Sequence, residues 1–378
     1  MRILHIMLAD PKFEAHAKNF FDNDEFNNDW ALFAFDRESK KDRKDVYDFP
    51  SWEEQPELKQ HFEQKASQND VLLVHFLIPG STSFLNAMSR QIPVVIQFWG
   101  GDYVSQLTPS SKTFLPLTHS FLFDDSCTQS SLRSFVRIGL QKWRTLTHQN
   151  HVSQALERAA GFLTILPEER QLFPEKFLSK HLEARVIYGK FDSAPPLTVK
   201  SSSGLTVMLG NSATPSNNHL DFLQLLSNCP SPINHLILPL SYGDSSYGES
   251  IRARFEESGL PTTVLKELMP LQEYEALINE VDVLILGHLR QQGLGNILTA
   301  LQQGKTIYLH PGGINYEHFK SRGFAVRNTQ DLAKGIELLS ETDQTRNTAL
   351  VSQFWDIEQG RIDMKAALTS LLQSPAAW

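Results

Sequence analysis

Thiols are scarce in this chain: Cys127 and Cys229 are its only cysteines in 378 residues. Two are too few for a disulfide framework, and they lack the C-x-x-C spacing of a zinc site, so a reducing, cytoplasmic setting is expected. Long apolar runs are missing as well. The richest, Val71–Ile78, is interrupted by His75 and falls well short of the roughly 20 residues that span a bilayer. The opening residues Met1–Asp10 carry neither the apolar stretch nor the small-residue cleavage site of a signal peptide. A surplus of positive charge is absent too, since 35 Lys+Arg stand against 43 Asp+Glu for a net charge of −8. With no excess of cations to displace phosphate counterions, nucleic acid is not an expected partner.

Several signatures are also lacking. There is no Gly-x-x-x-x-Gly-Lys-Ser/Thr run, which argues against a P-loop NTPase. No Gly-x-Gly-x-x-Gly follows the first apolar run, which argues against a dinucleotide-dependent dehydrogenase. No Asp-x-Asp closes a strand and no His/carboxylate cluster has ligand spacing, so neither a metal nor a cofactor is expected. Solenoid repeats and low-complexity tracts are absent.

What remains is an ordinary globular composition, 41% hydrophobic and 21% charged, in a chain long enough for two domains. Short apolar runs alternate with amphipathic stretches. Strands are expected at Ile3–Leu8, Ala31–Phe35, Val71–Phe76, Val94–Phe98, Phe162–Leu166 and Arg185–Tyr188, then at Leu205–Leu209, His235–Leu240, Thr262–Leu265, Asp282–Leu286 and Thr306–Leu309. Continuous apolar blocks are what a parallel sheet covered on both faces requires, and repeated strand–helix units make a doubly wound α/β domain. The stretch Lys190–Gly204, with paired prolines and three serines, reads as a linker. The expected organisation is therefore a Rossmann-like domain over 1–195, a second over 196–350, and a helical tail over 351–378 that packs back on the first. The charge-dense run Asp36–Asp48 reads as a solvated loop. In open parallel sheets ligands bind beyond the carboxyl ends of the strands, so two such domains suggest an interdomain cleft with donor on one wall and acceptor on the other.

Two loops in the second half suit a diphosphate. After Leu205–Leu209 come Gly210, Asn211, Ser212 and, before a helix, Ser216 and Asn217. After Asp282–Leu286 come Arg290, Gln291, Gln292, Gly293, Gly295 and Asn296. Glycines let backbone approach a ligand, helix N-termini favour anions, and Arg290 adds a bidentate charge. Each loop alone is equally well read as a capped strand–helix turn. Tyr242, ending another strand, could stack on a nucleobase or simply pack. In the first half, Asp102 follows Trp99-Gly100-Gly101. It is a candidate general base for a sugar hydroxyl, with closure of the Gly-Gly turn as the even alternative. His75 and Asp10, also at strand ends, are the reserves. The stretch Ser130–Thr147 aligns Arg133, Arg137 and Arg144 along one helical face, suited to an acceptor diphosphate or an anionic membrane, though a surface helix of the fold looks the same.

The segments Phe98–Tyr103, Leu209–His219, Leu238–Tyr242 and Arg290–Gly295 resemble, in order and spacing, the TDP-N-acetylfucosamine:lipid II N-acetylfucosaminyltransferase family. The resemblance runs from about the first strand to the Gly304 region; Asp36–Ser67 and the tail carry little of it. It implies a GT-B glycosyltransferase, inverting and metal-independent. Such an enzyme transfers a 4-acetamido-4,6-dideoxygalactose-like sugar from a TDP-sugar to a polyprenyl-diphosphate-linked saccharide. That transfer takes place at the cytoplasmic face of the inner membrane, for enterobacterial common antigen or a related polysaccharide. Where many retaining GT-B enzymes carry a glutamate in the helix after the second glycine loop, this chain has Thr299, which argues against that class. An epimerase or hydrolase on the same scaffold, or a non-catalytic nucleotide-sugar-binding module, is the alternative.

Overall fold

The computed structural model describes residues 1–34, 43–48, 55–88, 92–102, 112–123, 152–187 and 204–374. They form two compact units. Unit 1 takes 1–108, 132–189 and 357–378; unit 2 takes 109–131 and 190–356.

Unit 1 is built on a parallel sheet of β1 (Arg2–Leu8), β2 (Asn27–Phe33), β3 (Val46–Tyr47), β4 (Val71–His75), β5 (Val94–Gln97) and β6 (Gly161–Leu163), in the order β3-β2-β1-β4-β5-β6. Every residue of β4 and β5 is buried, as expected for central strands of an all-parallel sheet. The helices include α1 (Pro11–Phe21), α2 (Pro56–Ser67) and α3 (Pro79–Ala87). Phe33, Phe62 and Phe84 pack ring to ring at 5.5–5.8 Å between sheet and helices.

Unit 2 repeats the scheme with β7 (Leu205–Leu209), β8 (Ile233–Pro239), β9 (Thr262–Leu265), β10 (Val283–Leu286), β11 (Thr306–Leu309) and β12 (Arg327–Asn328), ordered β12-β11-β10-β7-β8-β9. Both sheets thus run outward from their first strand in one direction and restart on its other side with the fourth. The strand order reverses between β1 and β4 in one and between β7 and β10 in the other. That point is where open α/β sheets take their ligands.

Two helices leave their place in chain order. α4 (Pro116–Phe123) docks on α5 (His219–Ser227) within unit 2. Asp221 caps it, accepting from Leu117 N (2.9 Å), Thr118 N (3.0 Å) and Thr118 Oγ1 (2.7 Å). The C-terminal α11 (Ile357–Leu372) belongs to unit 1, where Arg361 donates to the carbonyls of Asn19 and Phe20 at the end of α1.

Two expectations need correction. Residues 185–187 make no strand: after Leu182 N bonds Phe162 O the chain leaves the sheet edge, and Arg185 turns to Asp363 at 2.5 Å. The end of the charged run is not simply solvated. Val46 is buried and pairs with Leu32, while Arg43 makes a two-pronged contact with Glu14 (2.9 and 3.2 Å). The short β12 joins the second sheet with no apolar run of its own. The linker at Lys190–Gly204, apart from Gly204, and the basic face Arg133, Arg137 and Arg144 lie outside the described residues. Among the described residues no helix is long and apolar enough to cross a membrane.

Candidate functional site

In unit 2 the loops after β7, β8 and β10 meet at the point where the strand order reverses. Gly210 takes φ +74°, and a Cβ there would stand 2.8 Å from Asn217 Oδ1 and 2.9 Å from His219 Nε2, so only glycine fits. Asn211 joins all three loops. Its N–H donates to Asn217 Oδ1 (2.9 Å), its Nδ2 donates to the Tyr242 hydroxyl (2.8 Å), and its Oδ1 accepts from Gln292 Nε2 (3.1 Å). Gln292 also donates to Thr214 Oγ1 (2.9 Å) and accepts from Ser216 Oγ (2.6 Å). Arg290 reaches Ser216 Oγ at 3.4 Å and the Gln291 carbonyl at 3.2 Å.

Gly293, at φ +69°, caps α8 (Leu294–Gln302). Gly295 in its first turn is exposed with open space around it. Asn296 donates to the Tyr274 hydroxyl (2.9 Å) on α7 (Leu271–Glu280). Tyr242 as a residue is 46% exposed while its hydroxyl is engaged; burial of that oxygen raises its pKa. Gln291 is buried. The result is a pre-formed polar rim: a positive helix end, an arginine and neutral amides around accessible backbone, which suits a diphosphate.

Four residues absent from the sequence-based site, Asn218, Tyr274, His288 and Asn315, hold this rim together with Asn217. Asn217 spreads its amide N–H groups over Ser212 and Thr214, so its Oδ1 faces His288 Nε2 at 2.9 Å. That bond requires a proton on His288 Nε2, and burial, which pushes the pKa well below the ordinary value, keeps the ring neutral. Asn218, itself at φ 57°, donates to Gly287 O (2.7 Å) and accepts from Leu115 N (2.8 Å). Asn315 holds the Gln292 carbonyl at 2.8 Å. Tyr274 anchors Asn296. No residue motif flags these; Asn217–Asn218 as a pair before a helix was the one usable sign.

In unit 1 the three acid/base candidates fare differently. Asp102 is 3% exposed. Its carboxylate accepts from Leu77 N (3.0 Å) and Trp99 N (3.1 Å), tying the loop after β4 to the loop after β5. Of its two weighed roles, this is the geometry of turn closure. His75 is also buried, its Nε2 2.9 Å from His5 Nδ1; His5 Nε2 in turn meets Asn28 Oδ1 at 2.9 Å. Asn28 Oδ1 can only accept, so His5 carries its proton on Nε2 and His75 must donate to it. Burial depresses both imidazoles, His5 to about 3. Asp10, directly after β1, is exposed, with Phe13 N donating to its Oδ1 at 3.3 Å. Among the described residues no group of three His, Cys, Asp or Glu is arranged to hold a metal ion.

Residues 185–331 match the model of a family described as 4-alpha-L-fucosyltransferase, glycosyl transferase group 56. They contain β7–β11 and all three rim loops. Several solved structures are similar in fold over nearly the whole chain. HepE from Anabaena, in complex with UDP and glucose, has TM-score 0.63 at 14% identity, covering 98% of this chain and 100% of that one. The lipopolysaccharide outer core galactosyltransferase WaaB has TM-score 0.60 at 12% identity, covering 98% and 99%. A glycosyltransferase from Rickettsia africae has TM-score 0.59 at 10% identity, covering 98% of each. The fold is GT-B: two doubly wound parallel sheets, as the resemblance implied.

Proposed function

We propose that this chain is a glycosyltransferase of group 56, the family whose model matches residues 185–331, and that it moves a 4-acetamido-4,6-dideoxygalactose-like sugar from a TDP-sugar to a polyprenyl-diphosphate-linked saccharide at the cytoplasmic face of a membrane, with inversion and without a metal. The observation that carries the donor half is the convergence, inside the matched segment, of the Gly210, Tyr242 and Arg290–Gly295 loops on one strand-order reversal. The diphosphate lies against the first turn of α8 and beside Arg290. As the glycosidic C–O bond breaks, the negative charge that develops on the leaving TDP is met by fixed dipoles and a cation. Those elements supply the stabilisation that a divalent ion gives in other transferases. The exposed ring of Tyr242 offers a face for the thymine. Thr299 in place of an acidic residue suits a deoxyribose.

Inversion needs one group to take the acceptor hydroxyl's proton as that oxygen attacks the anomeric carbon from the face opposite the nucleotide. We assign the proton to Asp10 and not to Asp102. A base must reach the proton it takes, and of the three candidate side chains in unit 1 only that of Asp10 is exposed. The acceptor's lipid-linked nature rests on the family resemblance, and the basic face Arg133, Arg137 and Arg144 is its candidate membrane contact.

A transfer assay with the TDP-sugar and a polyprenyl-diphosphate-linked saccharide, run in EDTA, tests the whole reading. Product should form with inverted anomeric configuration, and TDP alone should stabilise the protein by about 2.7 kcal/mol at a hundredfold excess over its Kd. Activity that vanishes in EDTA and returns with magnesium would overturn the metal-free mechanism. Conversion of the sugar nucleotide without acceptor would make the chain an epimerase or hydrolase.

A further inference from the structure

We propose that the carboxyl rim of the first sheet carries an aromatic platform for a saccharide ring, with Phe76 at its centre and Asp102 as the residue that positions it. The inference rests on the transferase reading above, since the saccharide is the acceptor. Phe76 directly follows β4 and takes φ 63°. A bulky side chain holds left-handed backbone only where its surroundings over-determine it, and such residues gather at functional sites. Here the surroundings do so. Phe76 N donates to Gln97 O (3.2 Å), and Ser81 Oγ approaches Phe76 O (3.4 Å). The next two amides are also held, Leu77 N by Asp102 Oδ2 (3.0 Å) and Ile78 N by Ser81 Oγ (2.8 Å).

What the held conformation presents is a ring that is only partly buried. A residue needed purely for packing would not require it. The ring lies across Gly101, where a Cβ would stand 3.8 Å from its Cε2 and Cζ. The ring thus lies within ordinary van der Waals reach of the Trp99-Gly100-Gly101-Asp102 turn, whose carboxylate pins the backbone beneath it. Phe13 stands edge-on to Trp99, centroids 4.8 Å apart at 82°, and both pack with Phe76 on Met7, Ala9 and Ala17. Phe13 lies one helical turn from exposed Asp10, whose carboxylate caps it. Partly exposed aromatic faces beside a carboxylate match the two sides of a pyranose, an apolar C–H face to stack and hydroxyls to donate.

Saturation-transfer NMR on the full chain holding TDP, with N,N′-diacetylchitobiose as the probe, tests this. Wild type should transfer saturation to the sugar's ring C–H protons. Phe76→Leu should lose most of that signal and Phe76→Tyr should keep it, with TDP affinity unchanged in both. Phe76→Gly removes the ring and the backbone strain together; it should melt no lower than Phe76→Leu and give no saccharide signal. Asp102→Asn should weaken the signal in the wild-type background and add nothing in the Phe76→Gly background, because a positioning residue acts only through what it positions. A Phe76→Leu protein with the wild-type signal would overturn the platform, as would a wild type that binds TDP but gives no transfer. Loss of TDP binding by the wild type would overturn the donor reading instead.

Discussion

In unit 2 the strand-order reversal is lined by Gly210, Asn211, Gln292 and Gly293; in unit 1 the corresponding point is walled by Phe13, Phe76 and Trp99. The two sheets have the same strand order, so the scaffold does not choose these linings. Among the described residues each unit also carries one non-glycine residue in left-handed backbone, Asn218 in one and Phe76 in the other. Asparagine enters that region at little cost and bonds its own neighbourhood. Phenylalanine does not, and must be held there from outside. A polar rim made of amides and glycines bonds within itself, whereas an aromatic rim depends on polar residues outside the rings, such as Asp102 and Ser81. The first pattern suits a ligand read by charge, the second a ligand read by shape.

One property crosses this divide, and it gives the largest expected effect. Each unit buries histidines beside its rim. Burial lowers His5 in unit 1 and His219 in unit 2 from 6.5 to about 3. The folded chain keeps these rings neutral where the unfolded chain takes up protons. Their contribution is therefore complete above pH 6.5 and is lost as the pH falls from there toward 3, at about 1.4 kcal/mol per pH unit for each ring. Both units should lose protection together below pH 6 in hydrogen-exchange measurements resolved by segment. A unit that stays fully protected to pH 4 would show that its histidine is not held neutral.

The second effect separates the carboxylates of unit 1. Asp10→Asn should lower kcat by roughly 10²–10⁴ with TDP affinity unchanged. Asp102→Asn keeps an oxygen for one of its two amides, so it should cost stability and acceptor affinity more than kcat. If the two variants exchange these behaviours, the base is Asp102 and the exposure argument fails.

Unit 2 supplies the third. His288→Leu removes one of the two donors to Asn217 Oδ1, which keeps the Asn211 N–H, and should cost about 0.5–1.5 kcal/mol in stability. His288→Gln can still donate and should recover much of it. Calorimetric titration with TDP should follow the same order, leucine weak and glutamine near wild type, because Asn217 orients the Asn211–Gln292 bridge.

How far the sequence carries such distinctions can be judged from the same residues. Strands such as Leu205–Leu209 and Thr306–Leu309 are read correctly to the residue, because a fully buried parallel strand between helices leaves a continuous apolar block. The donor loops were legible for a related reason: glycines needed at left-handed turns stand where a strand stops. Their cross-braces were not, since His288, Asn315 and Tyr274 act through single hydrogen bonds that no spacing encodes. Val46–Tyr47 escaped because an edge strand of two residues has no periodicity. Asp102 is legible as a residue but not in its contacts, because Leu77 N, which donates to its carboxylate, lies 25 positions away. The docking of α4 on α5 likewise rests on Asp221, about a hundred residues downstream.

The smallest effect is the sharpest test of the polar rim, because stability and affinity should move in opposite directions. Gly295 sits in the first turn of α8, exposed, with no atom within 4 Å of where a Cβ would be. Its φ is not in the left-handed region, unlike that of Gly293. Nothing in the fold therefore requires glycine there, and Gly295→Ala should raise stability by about 0.4–1 kcal/mol by restricting the unfolded chain. If the diphosphate approaches this helix end as closely as proposed, the added methyl stands where the ligand must come. TDP binding should then weaken by about 1 kcal/mol while the protein melts higher. Gain on both counts would mean that the ligand keeps its distance from the first turn of α8, and the anion would have to be held by Arg290 and the Gly210 loop alone.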